Sequence, residues 1–168
     1  MAAFQTRYTD STIQEYDSNY KVNPPFRSSR DNKALIKGLN EGLIEVLTSG
    51  HNPQDEESKN LEFEYAEFGI IGLQTMASEI SRLSEEVDMD ILIACVSENP
   101  RRITQQEMPV IDEGHVANLT LFDPKRKWVF DKKNNYSKSS NSPLLNKELT
   151  GKAVGIINNG FYGGEIFR

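Results

Sequence analysis

Ile44-Glu45-Val46-Leu47-Thr48-Ser49-Gly50-His51-Asn52-Pro53-Gln54 carries the chain's clearest sign of an α/β fold. Its first four residues follow Leu43 in a short apolar run without polar alternation, as expected for a strand buried on both faces. The run then enters a turn of small and polar residues, where α/β enzymes place their chemistry. Just upstream the pattern is helical. Asp31 is the expected N-cap, Ala34, Leu35 and Leu39 share one face, and Gly42 suits the C-terminal cap. Helix, glycine, short strand and polar loop make one α/β unit.

Working outward, the first twenty residues read as a strand remnant followed by an acidic loop. In Tyr20-Lys21-Val22-Asn23-Pro24-Pro25-Phe26-Arg27 the double proline fixes φ twice and predicts a rigid extended connection. Downstream, Asp55-Glu56-Glu57-Ser58-Lys59-Asn60 reads as an exposed charged loop. Phe68-Gly69-Ile70-Ile71-Gly72-Leu73 leads into a helix ending near Leu83. A second helix is expected from Asp88 to Ser97, with Ile91, Leu92, Ala94 and Cys95 as its apolar stripe and Asn99-Pro100 as its stop. Pro109 to Gly114 reads as a turn into the strand Ala117–Phe122, which Asp123-Pro124 should end. Trp128-Val129-Phe130, a polar loop to Ser142 and the strand Ala153–Ile157 complete the pattern. Helices fill the first two thirds and strands dominate the last.

Composition excludes several function classes. The 168 residues carry 19 basic and 25 acidic side chains, a formal net charge of -6. Nucleic-acid domains show a basic surplus, so none is expected as a partner. No apolar run approaches 18 residues, so no membrane span is expected, and the N-terminus lacks the apolar core of a signal peptide. One cysteine, Cys95, rules out an internal disulfide and fits a reducing cytoplasm. On an apolar helix stripe it reads as a core side chain. Two histidines, His51 and His115, with that cysteine are too few for a zinc site without recruited carboxylates. His51 reads as a loop histidine bonded to nearby backbone. Arg101-Arg102 reads as a surface pair.

Four segments, in order, resemble the C-terminal part of dihydroorotases, cyclic-amide hydrolases of the amidohydrolase superfamily. Lys21-Val22-Asn23-Pro24-Pro25-Phe26-Arg27 is similar to the family's Asn-Pro-Pro-Leu-Arg. Gly50-His51-Asn52-Pro53-Gln54 is similar to its Asp-His-x-Pro loop. Phe68-Gly69-Ile70-Ile71-Gly72-Leu73 is similar to its Phe-Gly-x-x-Gly-Leu segment. Ala117 to Asp123 resembles the strand leading back into its small β domain. The resemblance implies an α/β fold: closing units of a partial TIM barrel over residues 1–108, and part of a small β-sandwich side domain over residues 109–168. A whole barrel takes about 250 residues.

The resemblance also implies site roles. Asn23, Gln54, Phe68 and Gly69 stand at substrate-binding positions, with Gln54 where the family often has a histidine. Gly50 stands where the family's Asp contacts the metal and handles the proton of the attacking water. The family's other zinc ligands, an early His-x-His pair, a carboxylated lysine and two histidines, belong upstream of Asn23 and have no match here. The expectation is therefore no catalytic residue, no metal ligand and no bound zinc, hence a catalytically inactive dihydroorotase-like chain. The alternative is an interaction module whose exposed apolar faces are covered by a second copy or a partner protein. Dihydroorotase-like relatives lacking catalytic residues serve as partners of aspartate transcarbamoylase, which implies one such partner, and a complementary barrel fragment is another.

Overall fold

A computed structural model describes residues 1–108 and 110–167. Pro109 and Arg168, the ends of the expected second unit, lie outside the described residues. Five short α-helices precede a three-stranded antiparallel sheet: α1 (Ser29–Asn40), α2 (Glu56–Lys59), α3 (Met76–Leu83), α4 (Met89–Ile93), α5 (Asn99–Ile103), β1 (Asn118–Phe130), β2 (Lys147–Asn158) and β3 (Phe161–Gly164). The strands lie in the order β1-β2-β3. Among the described residues the fold is α/β, with one three-stranded sheet and no closed barrel.

Local chemistry explains where elements begin and where the sequence reading needs correcting. α1 is capped by Ser28 and not by Asp31. The Asp31 N–H donates to Ser28 Oγ (3.3 Å), and Asp31 Oδ2 accepts from the Ser28 N–H (3.1 Å), a reciprocal capping box. Bonds from Ser28 hold the Asp31 carboxyl below its usual range. Leu39 is fully buried on this helix, but Ala34 is exposed and Asn32 is buried in its stead. Asn32 Nδ2 donates to the Tyr8 carbonyl (2.9 Å), so the inner face of α1 is partly polar.

The expected strand Ile44–Leu47 is an extended segment and not a strand. Its end is paired through Leu47 N–H to Cys95 O (3.0 Å) and a parallel bridge between Thr48 and Ala2, while Ile44 N–H donates back to Gly38 O (3.1 Å) and Val46 O accepts from the Met1 ammonium (2.8 Å). The first twenty residues form three short 3₁₀ turns, Ala3–Thr6, Asp10–Glu15 and Ser18–Tyr20, with that bridge as their only strand-like pairing among the described residues. Asn99-Pro100 does not stop the second helix. The chain opens one wide turn over Ala94–Glu98, where Asn99 N–H donates to Ala94 O, and continues through Pro100 to Ile103. A π-type turn absorbs the residue whose missing N–H would otherwise break an α-helix. Asp123-Pro124 likewise does not end β1: pairing resumes at Lys127 after a bulge, where a strand tolerates proline.

The sheet packs on α3 through a small polar hub. Trp128 Nε1 donates to Ser78 Oγ and to Gly151 O (3.1 Å each), and Ser78 Oγ donates to Gly151 O (2.6 Å). Trp128, Phe130, Leu144 and Leu149 close over Ile71 as one apolar cluster. A second cluster joins Ala3, Leu39 and Leu47 to Leu83, Leu92 and Cys95. Cys95 is buried, and burial pushes its thiol up, so it is a core side chain. A third cluster, Phe4, Val22, Phe26 and Ile70, lies beneath the polar loop. Glu79, 3% exposed, ties the N-terminal turn to α3 by accepting from Arg7 (2.6 Å) and Arg82 (3.0 Å). Among the described residues no helix is long and apolar enough to cross a membrane.

Candidate functional site

Three extended segments run side by side at the strand end. Ala3 N–H donates to Thr48 O and Thr48 N–H to Met1 O (2.9 Å each), while Asn52 N–H donates to Ile70 O (2.8 Å). The bridges Ala2–Thr48 and His51–Ile70 are both parallel. This fixes the loop Thr48–Gln54 between the N-terminal segment and Phe68–Leu73. His51 Nδ1 accepts from the backbone N–H groups of Gly72 and Leu73 (3.3 Å each). His51 is thus a loop histidine bonded to backbone, with its ring proton on Nε2.

Three of the four residues expected to line a substrate pocket come together. Gln54 Nε2 donates to the Phe68 carbonyl (3.1 Å), which also accepts from Asn52 Nδ2 (2.8 Å). Gly69 passes so close to this pair that a Cβ there would meet Asn52 O at 2.5 Å. The Phe68 ring, nearly half exposed, carries the Lys21 ammonium 4.8 Å from its centroid. Asn23 is exposed, two residues beyond Lys21, whose carbonyl accepts from Gly69 N–H (2.9 Å). Gln54, Phe68 and Gly69 therefore share one loop cluster, and Asn23 lies two residues along the chain from its edge at Lys21.

Two residues that the sequence reading passed over organise this cluster. Asn141 Oδ1 accepts from Gln54 N–H (3.2 Å), its Nδ2 donates to Asn52 O (3.1 Å), and its carbonyl accepts from Ile71 N–H (3.0 Å). It sat in a polar stretch with no motif to mark it. Lys59, expected on an exposed loop, ends α2 and is 5% exposed. Its Nζ donates to the carbonyls of Ser18 (2.5 Å), Glu67 (2.9 Å) and Gly69 (3.3 Å). Burial lowers its ammonium from the usual range. The signal for α2 was Asp55, whose carboxylate caps it by accepting from Ser58 N–H (2.7 Å).

Gly50 has φ +59° and no room for a side chain. A Cβ there would lie 2.8 Å from Phe4 Cζ, 2.7 Å from Ala2 Cβ and closer still to Phe4 Cε1. A small cavity bordered by Phe4, Tyr8, Ser49 and Gly72 holds about 10 Å³, the space of one water centre. The residues present do not fit a zinc ion. Gly50 offers no donor, His51 Nδ1 is spent on two N–H groups, and among the described residues no three His, Cys, Asp or Glu side chains gather. A larger open cleft of about 370 Å³, bordered by Arg101, Asn118 and Asn159, shares none of these loop residues. Arg102 pairs with Glu45 (3.1 Å), and Arg101 donates to Glu107 O (3.3 Å).

Comparison with known proteins places this geometry. No family model matches the chain. A dihydroorotase of Caldicellulosiruptor saccharolyticus is 39% identical over 155 residues, 90% of this chain and 36% of that protein. A dihydroorotase of Endomicrobium trichonymphae is 39% identical over 152 residues, 87% of this chain and 36% of its own length. The chain spans about a third of the curated relatives it matches, at their C-terminal part. Among solved structures, the L-hydantoinase (dihydropyrimidinase) of Arthrobacter aurescens superposes with a TM-score of 0.84 at 22% identity, over 98% of this chain and 38% of that one. The inactive dihydroorotase-like domain of a CAD-like multifunctional protein from Chaetomium thermophilum superposes with a TM-score of 0.61 at 14% identity, over 96% and 42%. These structures share the amidohydrolase fold. The chain is homologous to the C-terminal part of dihydroorotases.

Proposed function

We propose that this chain is a dihydroorotase-like protein that does not hydrolyse cyclic amides at its strand end. Residues 1–108 then correspond to closing barrel units and residues 109–168 to part of the small β-rich side domain. Hydrolysis of a cyclic amide needs an activated hydroxide, a polarised carbonyl and an acid for the leaving nitrogen. Position 50 supplies neither a ligand nor a proton carrier. Losing a general acid/base alone costs about 10²–10⁴-fold in rate. The observation that carries the reading is that the loop's polar groups are spent inside the protein: Gln54 and Asn52 on Phe68 O, Asn141 on the loop backbone, His51 Nδ1 on Gly72 and Leu73. A binding pocket keeps such groups for its ligand. The inactive dihydroorotase-like domain of similar fold offers a precedent.

The test is a calorimetric titration of the purified chain with zinc. The reading predicts no stoichiometric site. One zinc bound per chain, lost on changing His51 to Ala, would contradict it.

One observation favours a second reading, an interaction module. The edge strand β3 leaves Phe161 81% and Tyr162 70% exposed beside the half-exposed Ile156, and unpaired edges with exposed aromatics attract other chains. Light scattering after size exclusion tests it. A defined dimer or complex lost in Phe161→Ser would support this reading, and a monomer at all concentrations would speak against self-association.

A further inference from the structure

We propose that Phe4 and Gly50 form one packing pair that shuts the strand end, with the ring standing where any side chain at position 50 would have to stand. The inference rests on the non-hydrolytic reading above and goes past it by naming what holds the site shut. Loss of a carboxylate alone would leave a hole. Here the hole is filled: a Cβ at position 50 would meet the Phe4 ring and the Ala2 methyl at 2.8 Å or less.

The ring cannot simply swing aside. Phe4 is 8% exposed and packs edge-on against Phe26, with centroids 6.1 Å apart. With Val22 and Ile70 it forms the cluster that ties the Asn23 segment to the Gly69 segment. Its backbone is held on both sides, by Ala3 N–H to Thr48 O and by Arg7 N–H to Phe4 O (3.0 Å). A side chain at position 50 must therefore displace core packing, and Gly50→Asp yields a less stable protein rather than a hydrolase. The Ala2 methyl closes the same space from a second direction.

Equilibrium unfolding of a small set of variants tests the pair. Gly42 is the internal control: its φ is +71°, and a Cβ there would meet nothing within 4 Å. Gly42→Ala thus reads backbone strain alone, about a tenfold fall in the folding constant. Gly50→Ala is expected to fall by about a further tenfold or more, from overpacking. In a Phe4→Leu background, which withdraws Cε1 and Cζ while keeping an apolar side chain, at least half of that excess on a logarithmic scale should vanish. In Ala2→Gly/Phe4→Leu, Gly50→Ala should cost no more than Gly42→Ala. Equal costs for Gly50→Ala and Gly42→Ala in the unaltered chain would overturn the pair. So would an undiminished Gly50→Ala cost in the Phe4→Leu background. Dihydroorotate turnover is read separately: turnover with the coupling intact defeats only the functional reading, and no coupling without turnover defeats only the pair.

Discussion

Replacing Lys59 by Met removes a cation that ties the Ser18 turn to the Glu67–Gly69 segment beside the candidate site. Met keeps the length and apolar character of the side chain but has no donors. Three carbonyls lose this donor: that of Ser18, which still accepts from Lys21 N–H (3.0 Å), that of Glu67 in a partly buried bond, and that of Gly69, which is buried. Hydrogen bonds to a charged group contribute about 1.5–3 kcal/mol each, and a buried acceptor left bare costs about 1–3 kcal/mol. The first two carbonyls can recover water, and removing the ammonium relieves its desolvation, which offsets part of the loss. The net expectation is a destabilisation of about 3 kcal/mol. For a chain of this size that lowers Tm by about 6–12 °C. Thermal unfolding followed by circular dichroism measures the shift. Hydrogen exchange locates it, with protection falling at the N–H groups of Gly69 and Glu67, which donate to Lys21 O and Ser58 O. Lys37→Met is the control: Lys37 is exposed, with a single 3.6 Å pair to Glu41, and should cost no more than about 0.5 kcal/mol. A Lys59→Met shift no larger than that of Lys37→Met would refute the assignment of Lys59 as a buried tie.

Glu79→Ala leaves Arg7 and Arg82, each about a quarter exposed, without their shared carboxylate. It should cost about 3 kcal/mol, the low end for breaking a buried pair, and a change of under 2 °C in Tm would count against it. Burial raises the Tyr8 hydroxyl well above its ordinary 10.0, and Tyr20 is shifted in the same direction. The unfolded chain therefore loses these protons first. Stability from Tyr8 is complete below about pH 10 and is withdrawn as pH rises further. Tyr8→Phe should move the onset of alkaline unfolding upward, and an unchanged or lower onset would contradict this. Cys95 should react with a thiol reagent only as fast as the chain unfolds; rapid labelling under native conditions would show that it is not core.

Much of the fold was legible because its signals are local. Ser28 to Asp31 and Gly42 bracket α1, and the apolar spacing before Leu83 marks α3. The errors arose where a distant partner overrules a local sign. Pro100 and Pro124 were read as stops, but a wide helical turn and a strand bulge carry the chain past both. Ile44–Leu47 has the composition of a buried strand, but its backbone bonds go to scattered partners, Gly38 O, the Met1 ammonium and Cys95 O, and among the described residues only Thr48 forms a bridge there. At the site, the loop Thr48–Gln54 was visible as a motif, and His51 behaves as its surroundings suggested. Lys59 was hidden because an exposed and a buried lysine look alike in a charged run. Phe4 was hidden because its contact with Gly50 spans 46 residues and depends on the parallel run of residues 1–3 beside Thr48.

We hold that the strand end of this dihydroorotase-like chain is shut and not hydrolytic. Turnover of dihydroorotate by the purified chain with zinc in excess, followed in both the hydrolytic and the cyclising direction, tests it most directly. The rate should equal that of buffer with zinc alone. A protein-dependent rate that a chelator abolishes and zinc restores would contradict it.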